Sequence, residues 1–216
     1  MELQKLYDQL LAKYGQQGWW PLLCDEANGE RYTCYHPGNY DLPQIADEKL
    51  EICIGAILTQ NTNWLNVEKA LYNLRKNELI SVKGLLNTSQ EHLAELIKPS
   101  GYYNQKARKL KEYCLFYQET GGRKPERSEL LSIWGIGRET ADSMLLYAYS
   151  EPVMVIDTYT RRVFRQAGYS FCDLPYDKLR ELCEQQLTRD YRIYQEFHAL
   201  LVQAGKEMGK KPKIRD

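Results

Sequence analysis

The chain has 216 residues, 43% of them hydrophobic and 27% charged, with a formal net charge of zero. That balance fits an ordinary water-soluble chain, long enough for one large domain or two small ones with a real core. It excludes a globally basic nucleic-acid binder, so any such surface must come from local clustering, and no apolar run approaches the ~20 residues of a bilayer span. The N-terminus MELQKLYDQL lacks a signal-peptide core, which makes the cytoplasm the expected location. Cys24, Cys34, Cys53, Cys114, Cys172 and Cys183 are scattered without a C-x-x-C pair. They are expected to be reduced and mostly buried, with no metal site.

Residues 2–14 carry Leu3, Leu6, Tyr7, Leu10, Leu11 and Tyr14 at helical spacing, and Gly15 and Gly18 end that helix. Gly18-Trp19-Trp20-Pro21 begins a loop, because Pro21 pushes Trp20 out of helical backbone. Residues 24–43 are turn-rich (Asn28-Gly29, His36-Pro37-Gly38-Asn39) and read as an irregular insertion. From Asp47 to Leu58 the sequence predicts a buried helix, stopped by the polar loop Thr59-Gln60-Asn61-Thr62-Asn63. An amphipathic helix follows over 64–76, then short helices near 81–86 and 89–97, and a longer one over 107–117 after Pro99-Ser100-Gly101. Further helices are expected over 158–167, 176–188 and 190–208, before a basic tail of Lys210 to Arg215. No run alternates as a strand would, so the chain reads as all-α with short connections.

The most informative stretch is Leu130 to Arg162. A short apolar run ends at Ile133-Trp134, Gly135-Ile136-Gly137-Arg138 turns the chain, and a new helical pattern runs from Glu139 to Tyr149. Two glycines around one aliphatic residue let two helices meet tightly and leave backbone N–H groups aimed outward, where a phosphate can bind. This is a helix-hairpin-helix pattern. The apolar Val153-Met154-Val155-Ile156 then ends abruptly at Asp157-Thr158. Asp157 suits two roles: an N-cap for the helix that follows, or a lone carboxylate for catalysis.

The hairpin Trp134-Gly135-Ile136-Gly137-Arg138-Glu139-Thr140-Ala141 and Val155-Ile156-Asp157-Thr158 together resemble the signature of the endonuclease III (HhH-GPD) superfamily of DNA glycosylases. Leu58-Thr59-Gln60-Asn61-Thr62 and Gly101-Tyr102-Tyr103-Asn104-Gln105-Lys106-Ala107 are similar to two further landmarks of that superfamily. Within it the chain looks most like the bacterial 3-methyladenine DNA glycosylase III group, through Trp19-Trp20-Pro21, Trp64 after the Gln60 loop, and Lys206. The resemblance implies two helical subdomains with the active-site cleft between them: residues 1–45 with 152–216, and 46–151 carrying the hairpin at 127–149. It also implies double-stranded DNA with a damaged base as partner, a monomer, and no membrane.

By that resemblance Asp157 is the catalytic residue, and Trp19, Pro21, Trp64 and Lys206 form the base pocket, with carbamylation of Lys206 possible. Gln60 and Tyr102 resemble minor-groove wedges, and Lys106, Gly135, Gly137, Arg138 and Glu139 complete the DNA contacts. Each tryptophan could equally be core, and Gln60 could simply cap helices; Trp20 and Trp134 are assigned to packing, while Arg108, Arg161 and Arg162 could add positive charge. Glu139 stands where strand-cutting members carry a Schiff-base lysine, and a carboxylate forms no imine. The segment Ala204 to Pro212 resembles the approach to an iron–sulfur cluster but has no cysteine, so no cluster is expected.

The expected activity is therefore monofunctional removal of alkylated purines, 3-methyladenine first. The alternatives are a bifunctional endonuclease III-like glycosylase and lyase, a different damaged base, or a hairpin module that binds DNA without catalysis.

Overall fold

The computed structural model describes residues 2–24 and 32–209. In chain order the described elements are α1 (Glu2–Tyr14), β1 (Leu22–Leu23), β2 (Thr33–Cys34), α2 (Ala46–Leu58), α3 (Trp64–Lys76), α4 (Val82–Asn87) and α5 (Gln90–Leu96). They continue as α6 (Tyr103–Glu119), α7 (Arg127–Ser132), α8 (Arg138–Tyr149), α9 (Thr158–Gln166), α10 (Tyr176–Gln186) and α11 (Tyr191–Met208). The expected turn at Asn28-Gly29 and the basic tail from Lys210 lie outside the described residues. Among the described residues, no helix is long and apolar enough to cross a membrane.

The chain groups into two compact units, one of Met1–Trp19, His36–Tyr40 and Ser150–Asp216, the other of Trp20–Tyr35 and Asp41–Tyr149. In the first unit α11 is the core helix. It buries Tyr194, Phe197, Leu200 and Leu201, and α1 and α9 pack against it. Glu196, buried on the same helix, accepts hydrogen bonds from the Gln17 N–H at 2.7 Å and the Tyr40 hydroxyl at 2.7 Å. One carboxylate thus ties both short loop segments to α11, and burial pushes its pKa up.

In the second unit α2 is apolar on nearly every face, with Leu50, Ile52 to Ile54 and Ala56 to Leu58 all buried. A helix of that composition has to be central, and α8, α3 and α6 surround it. Side-chain caps set several helix starts: Asn63 accepts from Asn66 N, Ser81 from Gly84 N and Ser89 from His92 N. Arg127 of α7 makes a two-pronged pair with buried Asp142 of α8 at 2.6 and 3.0 Å, fixing the two hairpin helices to each other.

The structure departs from the sequence-based expectation in residues 20–35. A two-residue antiparallel pairing sets Leu22 opposite Cys34 and Leu23 opposite Thr33, although no strand is expected there. Cys24 and Cys34, expected to be reduced, form a disulfide with Cα atoms 5.8 Å apart, because the chain reversal brings them together. The segment joins the second unit rather than travelling with residues 1–19, since Trp20 is buried against Trp64, Tyr147 and the Gly55 face of α2.

Glu51 of α2 anchors this hairpin by accepting the Leu23 N–H at 2.6 Å. Burial pushes its pKa up to about 7, against smaller opposing effects of that hydrogen bond and Arg75. A carboxyl with a raised folded-state pKa binds its proton more tightly when folded, so stability falls as pH rises from the ordinary carboxylate range to about 7. Glu51→Gln keeps the acceptor without the ionisation. It is expected to gain stability over the parent between about pH 5 and 8, on the order of 1–3 kcal/mol by urea unfolding. A difference that stays flat across that range would contradict this account.

Candidate functional site

In the first unit the buried run Val153 to Ile156 delivers Asp157 to the N-terminus of α9 in extended backbone. Its Oδ1 accepts the Thr160 N–H at 2.7 Å, so the N-cap role is real. Its Oδ2 lies 3.7 Å from Nε2 of His198 on α11, and the two side chains are only 12% and 6% exposed. Burial by itself raises the pKa of this carboxyl. The His198 contact and the Thr160 N–H more than offset it, leaving Asp157 below the ordinary carboxylate value. The result is a nearly buried carboxylate that stays charged.

Two more predicted residues join it. The half-buried Trp19 ring meets the His198 ring edge-on, with centroids 5.7 Å apart and planes at 90°. Lys206 Nζ sits 5.8 Å from the Trp19 centroid, on the rim of cation–π range. Lys206, Trp19, His198 and Asp157 therefore form a continuous series. His198 is the member that sequence reasoning missed. Its signal was a histidine between Phe197 and Ala199 in a largely buried helix, which reads as core. Arg161 is half-buried and donates to the carbonyls of Cys172 and Leu174, while Arg162 is exposed and donates to the Gly205 carbonyl.

In the second unit α7 and α8 frame the hairpin. Gly135 has φ of +83°, and a methyl group there would come within 2.5 Å of Lys109 Cε. Gly137 faces open space, and Gly135, Gly137, Arg138 and Glu139 are all exposed while Ile136 plugs inward. This leaves the first-turn N–H groups of α8 accessible to an anion. Gln60 is held against the hairpin: Nε2 donates to Gly135 O at 3.2 Å and Thr140 Oγ1 at 2.9 Å, and Lys109 Nζ donates to its Oε1 at 2.5 Å. Tyr102, by contrast, is 67% exposed and adopts left-handed backbone with φ of +46° at the start of α6. Such backbone is strained for a tyrosine and projects the ring outward.

Two expectations are corrected here. Lys106 is 1% exposed, and its ammonium donates to Leu58 O at 2.8 Å and Ser100 O at 2.7 Å. It satisfies one carbonyl at the end of α2 and one in the turn before α6 and is not a surface charge; burial, with the Lys109 charge adding, pulls its pKa down to about 8. Trp134, assigned to packing, is 44% exposed, with Arg108 lying 4.0 Å over its ring. The position sits on the outer face of the hairpin turn, where no core is available.

The remaining pocket candidates belong to the second unit. Pro21 is buried. Trp64 is half-buried, stands edge-on to Trp20 at 5.3 Å, and donates its indole N–H to Thr33 Oγ1 at 3.3 Å. Thr33 in turn donates to buried Glu68. Among the described residues, no group of three or more His, Cys, Asp or Glu side chains is placed to hold a metal ion.

The sequence profile of the HhH-GPD superfamily base excision DNA repair proteins matches residues 54–189, well over half the chain. The chain belongs to that superfamily. A Methanocaldococcus jannaschii protein provisionally named a DNA repair glycosylase is 38% identical across 99% of this chain and 91% of its own length. The endonuclease III of Thermotoga maritima is 28% identical over 76% of each chain. Among solved structures, the H. pylori 3-methyladenine DNA glycosylase bound to 1,N6-ethenoadenine superposes with a TM-score of 0.70 at 26% identity, covering 97% of this chain and 98% of that one. An endonuclease III–DNA complex reaches 0.74 at 18% identity, covering 98% and 89%, which shows the shared fold. The all-α HhH-GPD fold expected from the sequence is the fold observed.

The placement of Lys106 within this HhH-GPD scaffold makes a prediction. Lys106→Met leaves the Leu58 and Ser100 carbonyls without their donor and is expected to cost about 2–4 kcal/mol of stability in urea unfolding. Unchanged stability with weakened DNA binding would instead return Lys106 to the DNA-contacting face.

Proposed function

We propose that the protein is a monofunctional DNA glycosylase that hydrolyses the N-glycosidic bond of alkylated purines, 3-methyladenine first, in double-stranded DNA. The observation that carries this reading is Asp157: a nearly buried carboxylate kept ionised by His198 and the α9 N-terminus, with Trp19 in the same cluster. An N-alkylated purine is already cationic and leaves without strong acid assistance. The C1′–N bond breaks, its electron pair neutralises the base, and positive charge develops on the sugar. Asp157 stabilises that charge, orients the incoming water and takes its proton as the new C1′–O bond forms.

Trp19 and Trp64, with Pro21, suit recognition of such a base, since an indole face attracts a cationic ring by on the order of 0.5–2 kcal/mol. The Lys206 ammonium near Trp19 opposes that attraction. Carbamylation, in which the amine adds carbon dioxide and loses a proton, turns the conflict into a favourable anion–cation contact; a high-resolution density map with a bare ammonium at neutral pH would count against it. The α8 N-terminus with Gly135, Gly137, Arg138 and Glu139 binds a backbone phosphate, and Tyr102 fills the space vacated by the flipped base. Gln60 supports the hairpin behind that contact. Glu139 in place of an amine removes the route to a Schiff base.

Methylated duplex DNA tests the reading. Free 3-methyladenine is expected without strand scission and without an adduct on borohydride trapping, and Asp157→Asn is expected to lower single-turnover base release by at least about a hundredfold while keeping DNA affinity. A trapped adduct would mark a bifunctional enzyme. Base release undiminished in Asp157→Asn would remove the carboxylate from the mechanism.

A further inference from the structure

We propose that His198 is the positioning residue of this site: it fixes Asp157 from the side away from the α9 N-terminus and couples that carboxylate to the aromatic platform at Trp19. The proposal rests on the reading of Asp157 as the catalytic carboxylate. The geometry divides the carboxylate between two holders. Oδ1 is bound by the Thr160 N–H at 2.7 Å, while Oδ2 faces His198 Nε2 at 3.7 Å. The hydrogen bond at Oδ1 and the longer electrostatic contact at Oδ2 together oppose rotation of the carboxyl plane away from the direction of the sugar.

The position of His198 in α11 argues against a role in packing alone. It lies beside the buried apolar residues Phe197, Ala199, Leu200, Leu201 and Val202, and buried Gln195 and Glu196 precede it on the same helix. A polar ring in that row costs desolvation that an aliphatic side chain would avoid, unless its polarity is used. The carboxylate uses it. The imidazole also meets Trp19, whose ring stands edge-on to it with centroids 5.7 Å apart. A base stacking on Trp19 therefore loads the ring that holds the imidazole, and the imidazole holds the carboxylate. Recognition of the base and alignment of the reacting oxygen become one mechanical unit, carried entirely by residues of the first unit.

Substitutions at His198 separate this role from simple packing. His198→Phe retains a ring against Trp19 and loses the contact with Asp157. It is expected to bind a lesion duplex as the parent does, yet to release base about tenfold more slowly in single turnover. His198→Gln restores a polar group and is expected to recover part of the rate, and it keeps the test alive if the Phe variant folds poorly. In the double variant with Asp157→Asn, the His198→Phe change is expected to cost nothing further, since its effect runs through that carboxylate. An unchanged rate in either folded His198 variant, equal losses in binding and rate, or a loss that adds to Asp157→Asn would overturn the proposal. If Asp157→Asn itself retains full base release, the glycosylase mechanism fails first and the role of His198 falls with it.

Discussion

A carboxylate that is nearly buried gives up hydration worth several kcal/mol, and left alone it would simply take up a proton. Asp157 is spared this by two groups whose cost is met elsewhere in the fold: a helix N-terminus, where an N–H needs an acceptor in any case, and an imidazole on the core helix α11. The packing of α9 against α11 brings the two together. The buried run Val153 to Ile156 leads directly to this point. Capping and charge stabilisation are thus one arrangement, and the two readings of Asp157 do not compete.

The second unit solves a different problem, presenting backbone N–H groups on a rigid mount. Arg127 and Asp142 clamp the two hairpin helices, and Gln60 and Lys109 brace the turn from behind. Lys106 ties the last carbonyl of α2, directly before the loop that carries Gln60, to the Ser100 carbonyl ahead of α6. Lys106, expected among the DNA contacts, is buried as internal support, and Gln60 is bonded to both the hairpin turn and Lys109. Direct exposure is left to Tyr102, Trp134 and the glycine turn.

The helices were legible in the sequence because their apolar spacing, caps and glycine stops agree; α1 and α3 have the expected bounds. The hairpin and Asp157 were legible because a glycine turn and an abrupt carboxylate after an apolar run are local signals. What was not legible depends on distant partners. Lys106 looks like any helix-face lysine until the carbonyls of Leu58 and Ser100 are placed beside it. His198 is hidden within an apolar row, and nothing in sequence joins it to a residue more than forty positions earlier. The pairing of Cys24 with Cys34 needs the chain reversal between them, which a turn-rich composition suggests only as irregularity.

The account stands on the ionisation of Asp157, which can be measured directly. Carbon-13 labelling of aspartate carboxyls, with the Asp157→Asn variant to assign the resonance, follows its titration in the folded protein. The expected result is a midpoint below the ordinary carboxylate value, with the group charged throughout the neutral range. A midpoint raised above that value, in the direction that burial alone would give, would contradict the account.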